Sequence, residues 1–146
     1  MKSYTNIEQS KKLAEILPIE SADMYYEYVL PRSNKLKHIP SIGNPVDAFE
    51  WYNSNKGYTH FGKEPLSLKE YCIPCWSLAA LLNILPQKYY PIKDHETNLI
   101  LGKPKDKWCV LYWDTTGMQH GEETLGDNPV DACVDMIVKL KEKNMI

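Results

Sequence analysis

Apolar positions fall into short periodic runs separated by polar, turn-forming stretches. Ile7, Ser10, Ala14 and Leu17 recur at helical spacing, with Leu13 and Ile16 widening the stripe, which predicts a first helix over about 5–17. Thr5 and Glu8 have capping-box spacing at its start, and Pro18 stops it. Met24, Tyr26, Tyr28 and Leu30 alternate on one face of an expected strand. Residues 32–41 fit a short returning strand, and Tyr58 to Phe61 fit another. Asn44-Pro45-Val46-Asp47 opens a second helix over about 45–53, because Asn caps, Pro suits the first helical position and Asp suits the positive dipole end.

Pro74 is the expected start of a third helix, 74–85, apolar nearly all round and therefore buried. Trp76, Leu78, Leu81, Leu82 and Leu85 join Val134 and Ile137 in the predicted core. Residues 98–101 and 108–113 read as a hairpin around Gly102-Lys103-Pro104-Lys105-Asp106, and 114–127 read as a polar loop. The last helix, 129–143, opens at Asn128-Pro129 and carries a stripe of Val130, Cys133, Val134, Ile137 and Leu140. The pattern predicts an α+β class, with four helices on a small, mostly antiparallel sheet in one domain spanning 1–146. Asn-Pro-Val-Asp-Ala occurs at 44–48 and 128–132, and Ile-Leu-Pro at 16–18 and 84–86. Two degenerate repeats of helix, strands and helix would produce this echo, as would independent use of an efficient helix opener.

Composition narrows the function classes. Charged residues make up 25% and the net charge is −2, with no basic half. Generic nucleic-acid or anionic-membrane binding needs a basic face, so neither is expected. The start of the chain does not read as an export signal, and apolar runs such as 78–82 are far too short to span a bilayer. A cytoplasmic location follows, with four reduced cysteines. Sixteen lysines stand against one arginine, Arg32, which disfavours a dedicated phosphate clamp. Ten Tyr and four Trp accompany two Phe, an aromatic surface with polar handles that suits interfaces.

Candidate chemistry is sparse. Cys72-Ile73-Pro74-Cys75 has thiol-exchange spacing, yet the preceding residues make a poor buried strand, and no second ligand pair completes a zinc site. Both cysteines read as small buried hydrophobes. Asp94-His95-Glu96 and His120-Gly121-Glu122-Glu123 place histidine beside carboxylates in expected loops, where solvated side chains are the plainer reading. No phosphate loop or nucleophile elbow is present. Catalytic, cofactor and metal residues are therefore assigned to none. The aromatics Tyr25, Tyr26, Tyr28, Trp51, Tyr52, Tyr89 and Tyr90 remain as a candidate interaction surface.

Three blocks, Ser10 to Met24, Ile73 to Leu82 and Asn128 to Val134, resemble a family of short uncharacterised proteins of Bacteroides-type gut bacteria, their phages and mobile elements. The resemblance implies a context in which a small cytosolic protein binds something of its host. The leading expectation is a non-enzymatic protein that engages a host protein through the aromatic surface. One alternative holds a nucleotide-like small molecule between stacked aromatics. Another is a thiol-redox or metal-dependent enzyme centred on Cys72 and Cys75.

Overall fold

The computed structural model describes residues 2–29, 37–54, 72–92, 95–114 and 120–146, and at 28, 29, 37, 89–92, 95 and 120 it describes the backbone. The strand expected at 58–61 lies outside these residues. The chain is an α+β protein with four α-helices among the described residues. Its strands pair antiparallel throughout, in two sheets where the sequence pattern suggested one. By internal contacts it divides into two compact units, Asn6–Ser77 and Leu78–Ile146 with Met1–Thr5.

The first unit contains α1 (Ile7–Ala14), a 3₁₀ turn (Ile19–Ser21), β1 (Met24–Val29), β2 (Lys37–Ile42), α2 (Pro45–Ser54) and β3 (Cys72–Cys75). The cap of α1 lies one residue later than expected: the Gln9 amide donates to Asn6 Oδ1 at 2.8 Å, and the Asn6 amide donates to Gln9 Oε1 at 3.1 Å. Asn caps at least as well as Thr, and Thr5 is fully buried.

The sheet order is β2-β1-β3. β3 corrects the expected helix start, since Pro74 lies in a strand opposite Tyr25. A proline is tolerated there because β3 is an outer strand of the sheet formed by the described residues. The other outer strand, β2, likewise carries Pro40. Asp23, just before β1, ties the strands together: Oδ1 accepts from the Ser77 amide at 2.9 Å, and Oδ2 accepts from the Ser77 hydroxyl. Trp76, fully buried, donates from Nε1 to Ser21 Oγ at 3.0 Å. That hydroxyl donates onward to the Pro18 carbonyl.

The second unit contains α3 (Leu78–Ile84), β4 (Lys88–Ile92), β5 (His95–Gly102), β6 (Trp108–Asp114), β7 (His120–Gly126) and α4 (Pro129–Glu142). Its sheet is a β4-β5-β6-β7 meander, and the expected hairpin is β5–β6. α4 packs on β6, β7 and α3, burying Val130, Cys133, Val134, Met136, Ile137 and Leu140. Leu81 is fully buried, whereas Leu78 and Leu82, also expected in the core, are half-buried.

β7 replaces part of the expected polar loop. Its register against β6 shifts between Leu111 and Trp113, and a Cβ on Gly121 would come within 2.9 Å of both Cβ and the carbonyl oxygen of Tyr112. Glycine permits that close approach at the bulge. Both units run helix, Ile-Leu-Pro, strands, then a helix opened by Asn-Pro-Val-Asp-Ala. The caps differ: Asn44 Oδ1 accepts from the Val46 amide, while Asn128 Oδ1 accepts from the Asp131 amide.

Two stability outcomes follow from this packing. Leu81→Ala should cost about 2–5 kcal/mol in denaturant unfolding, as for buried leucines generally, and a cost below about 1 kcal/mol would contradict its placement. Glu122 is held below its ordinary value of 4.5 by hydrogen bonds from Lys139 and Lys143, which outweigh its partial burial. A carboxylate pKa depressed by folding stabilises above the unfolded value, and the contribution is lost as pH falls through the folded value. Glu122→Gln should therefore lower stability by roughly 0.5–1 kcal/mol at neutral pH, a partly exposed network. The gap should close as unfolding is repeated below the carboxylate range; a gap independent of pH would contradict the pairing.

Candidate functional site

Successive residues of a strand point to opposite faces, so β1 sorts its side chains. Tyr26 faces inward at 6% exposure, in register with Pro40 and Ile73. Tyr25 and Glu27 share the other face. Their cross-strand rows are Ser41–Tyr25–Pro74 and Ile39–Glu27–Cys72. These rows are closed at the β3 end, where Cys72 and Pro74 are buried, and open at the β2 end, where Ile39 is 42% exposed. Ser41 donates its hydroxyl to Glu27 at 3.4 Å.

α2 contacts β3 and the 3₁₀ turn. The Tyr25 ring rests on Gly43, where a Cβ would lie 3.3 Å from its Cε1 and where φ is +152°, in the region that favours glycine. Burial raises the Tyr25 hydroxyl above its ordinary pKa, and the charges of Glu27, Cys72 and Asp47 add to the effect; Asp47 lies in the first turn of α2. Trp51 follows Asp47 by four residues and lies on the same flank of the helix, 39% exposed. Tyr52 is half-buried on the neighbouring flank. In the first unit, Tyr25 is half-buried on β1, while Ile39 on β2 and Trp51 on α2 are exposed.

Of the seven aromatics singled out in the sequence, the structure places Tyr25 on β1 and Trp51 and Tyr52 on α2, all in the first unit. Tyr26 is a correction: it is core, because alternation turns it away from Tyr25. Tyr28 is on β1, and Tyr89 and Tyr90 are on β4 in the second unit; their side chains lie outside the described residues. Glu27, Ile39 and Asp47 were not singled out. The strand alternation of Tyr25 with Glu27 was available as a signal, whereas Ile39 depends on register.

The cysteine pair is not assembled for exchange or chelation. Cys72 and Cys75 are three apart on a strand, so their thiols project from opposite faces. They are 1% and 0% exposed, and burial, with the Glu27 charge adding, pushes the Cys72 thiol up to about 12. Cys109 is 1% exposed and donates to Glu123 Oε1 at 3.4 Å; burial and that bond push it up to about 11. Of the His–carboxylate runs, Glu96 pairs with Lys88 at 2.8 Å and Glu122 with Lys139 and Lys143. Asp94 and the side chains of His95 and His120 lie outside the described residues. Among those described, no group of three His, Cys, Asp or Glu side chains is positioned for a metal ion, and no helix is long and apolar enough to cross a membrane.

No family model, curated protein or solved structure matches the chain.

Native protein should react negligibly with a thiol reagent at pH 8, with all four cysteines titrating after denaturation, because thiolate is the reactive form and each thiol is buried. Fast native labelling of Cys72 would contradict its environment. Gly43→Ala should cost about 1–3 kcal/mol through backbone strain and contact with Tyr25, measured by chemical unfolding. An unchanged midpoint would contradict the geometry at the β2–α2 junction.

Proposed function

We propose that this chain is a non-enzymatic cytoplasmic binding protein that engages a host protein through the Tyr25, Ile39 and Trp51 surface of its first unit. The observation that carries the reading is the exposure of two large apolar side chains in the first unit, Trp51 on α2 and Ile39 on β2. Tyrosine and tryptophan supply large contact area at little cost in side-chain freedom, and exposed rings beside an open aliphatic position suit an interface centre. The family resemblance of the sequence supplies the setting, a small protein of a phage or mobile element acting on its host. The alternative enzyme centred on Cys72 and Cys75 draws no support from two buried thiols on opposite faces of one strand.

Immobilised wild-type protein should retain a host protein in near-stoichiometric amount. Trp51→Ala and Ile39→Ser should each weaken retention, Trp51→Ala by roughly thirtyfold or more if it is an interface anchor, with melting temperatures close to wild type. Retention unaffected by Trp51→Ala, or activity removed by a His120 or Glu123 substitution alone, would contradict the proposal.

A further inference from the structure

Proline marks the outer strands of both sheets. Pro40 lies in β2, Pro74 in β3 and Pro91 in β4, whereas the inner strands β1, β5 and β6 carry none. A strand proline has no amide hydrogen for the ladder, so it sits where that donor would face the free side, and it withholds the donor from any incoming strand. Among the described residues β7 is the outer strand without a proline, and no described strand pairs with its second side. Contacts sort the two faces of β7. Glu122 is bonded to Lys139 and Lys143, and the Thr124 hydroxyl donates to the Ala132 carbonyl at 2.7 Å, so both point to α4. Glu123 and Leu125, in register with Leu111 and Cys109, occupy the opposite face, where Glu123 is exposed and Leu125 is 55% exposed. Lys139 Nζ donates to the Glu123 carbonyl at 3.2 Å, so the backbone there is reachable from outside the β6–β7 ladder.

We infer that β7 is the edge at which this protein takes up an extended segment of a protein partner, paired through its backbone as a fifth strand of the second sheet, with a lysine or arginine opposite Glu123 and an aliphatic residue opposite Leu125. Backbone pairing supplies the affinity in this mode, and alternate side chains supply the selectivity. Glu123 and Leu125 are two apart on one face, so the residues that meet them are two apart as well. Opposite charges and apolar pairs directly across a ladder are favourable, and like charges are not. That rule disfavours a second copy of this chain as the occupant, since another β7 brings a Glu122 and a Glu123 of its own. The edge belongs to the second unit and stands independently of the first-unit surface.

The test uses the full chain and seven-residue peptides titrated by heteronuclear NMR. One peptide alternates Lys and Val on one face with Thr on the other, a second is the same peptide N-methylated at every residue, and a third has Glu in place of Lys. The Lys peptide should shift the amides of Gly121 to Gly126 and slow their hydrogen exchange. N-methylation removes the backbone donors but keeps the side chains, and it should abolish those shifts. The Glu peptide should bind at least about fivefold more weakly, because a favourable cross-strand pair becomes an unfavourable one. Glu123→Lys, with the spectrum of the free variant showing that its fold is retained, should reverse that preference. Equal binding of the N-methylated peptide would overturn strand addition. Equal binding of the Lys and Glu peptides would overturn the basic partner. So would β7 shifts that grow with protein concentration in the absence of peptide, the mark of a second copy on this edge. Shifts confined to β2, β3 or β4 would overturn the assignment to β7, as would no shift at about 1 mM Lys peptide, a contact weaker than roughly 4 kcal/mol.

Discussion

Asp23 stands just before β1 and receives both the backbone amide and the hydroxyl of Ser77, two residues beyond β3. Next to Ser77, the buried indole of Trp76 is anchored to Ser21, on the other side of Asp23. These bonds hold the start of β1 against the end of β3 and set the pairing of Met24 with Cys75 and Tyr25 with Pro74. Register matters because the side-chain period of a strand is two. Slipping β1 by one residue would place Tyr25 and Glu27 in the interior and turn Tyr26 outward. A buried carboxylate in place of a tyrosine ring is the costlier arrangement, so the latch and the core favour the same register.

The surface inherits its character from that register. Tyr26 contributes its ring to the interior, and Tyr25 is left to lie over Gly43 beside α2. Cys72, on the outward row, is closed off by burial at the β3 end and cannot serve as an accessible thiol. The same row opens at Ile39. One strand face therefore passes from inert and buried to exposed and apolar within three side chains, with the Glu27 carboxylate in the middle. Asp47 and Trp51 follow on α2, which Asn44 caps directly after β2.

Much of the fold was legible in the residues. The stripe of α4, the two Asn-Pro helix openings, the β5–β6 hairpin and the existence of β1 all follow from periodicity and capping. The failures have separate physical causes. Pro74 suits a helix start as well as an outer strand, and the choice depends on Asp23 and Tyr25, which are some fifty positions away. β7 carries Gly121, Glu122 and Glu123, which read as loop; as an outer strand it needs apolar residues on one face at most. Asn6 won over Thr5 as the cap of α1 because Gln9 could return the hydrogen bond. The candidate site was half legible: exposed aromatics could be nominated from composition, but separating Tyr25 from Tyr26 required the strand period to be applied to them. Ile39 entered through pairing across the sheet, which local patterns do not encode.

The sorting of aromatics by β1 is the claim on which the surface stands, and hydroxyl-radical footprinting with residue-level mass spectrometry tests it most directly on native protein. Trp51 and Tyr25 should be oxidised readily, with Tyr26 strongly protected until the protein is unfolded. Oxidation of Tyr26 at a rate matching or exceeding that of Tyr25, in protein that still melts cooperatively, would mean that β1 lies in the other register, and the surface built on it would not exist.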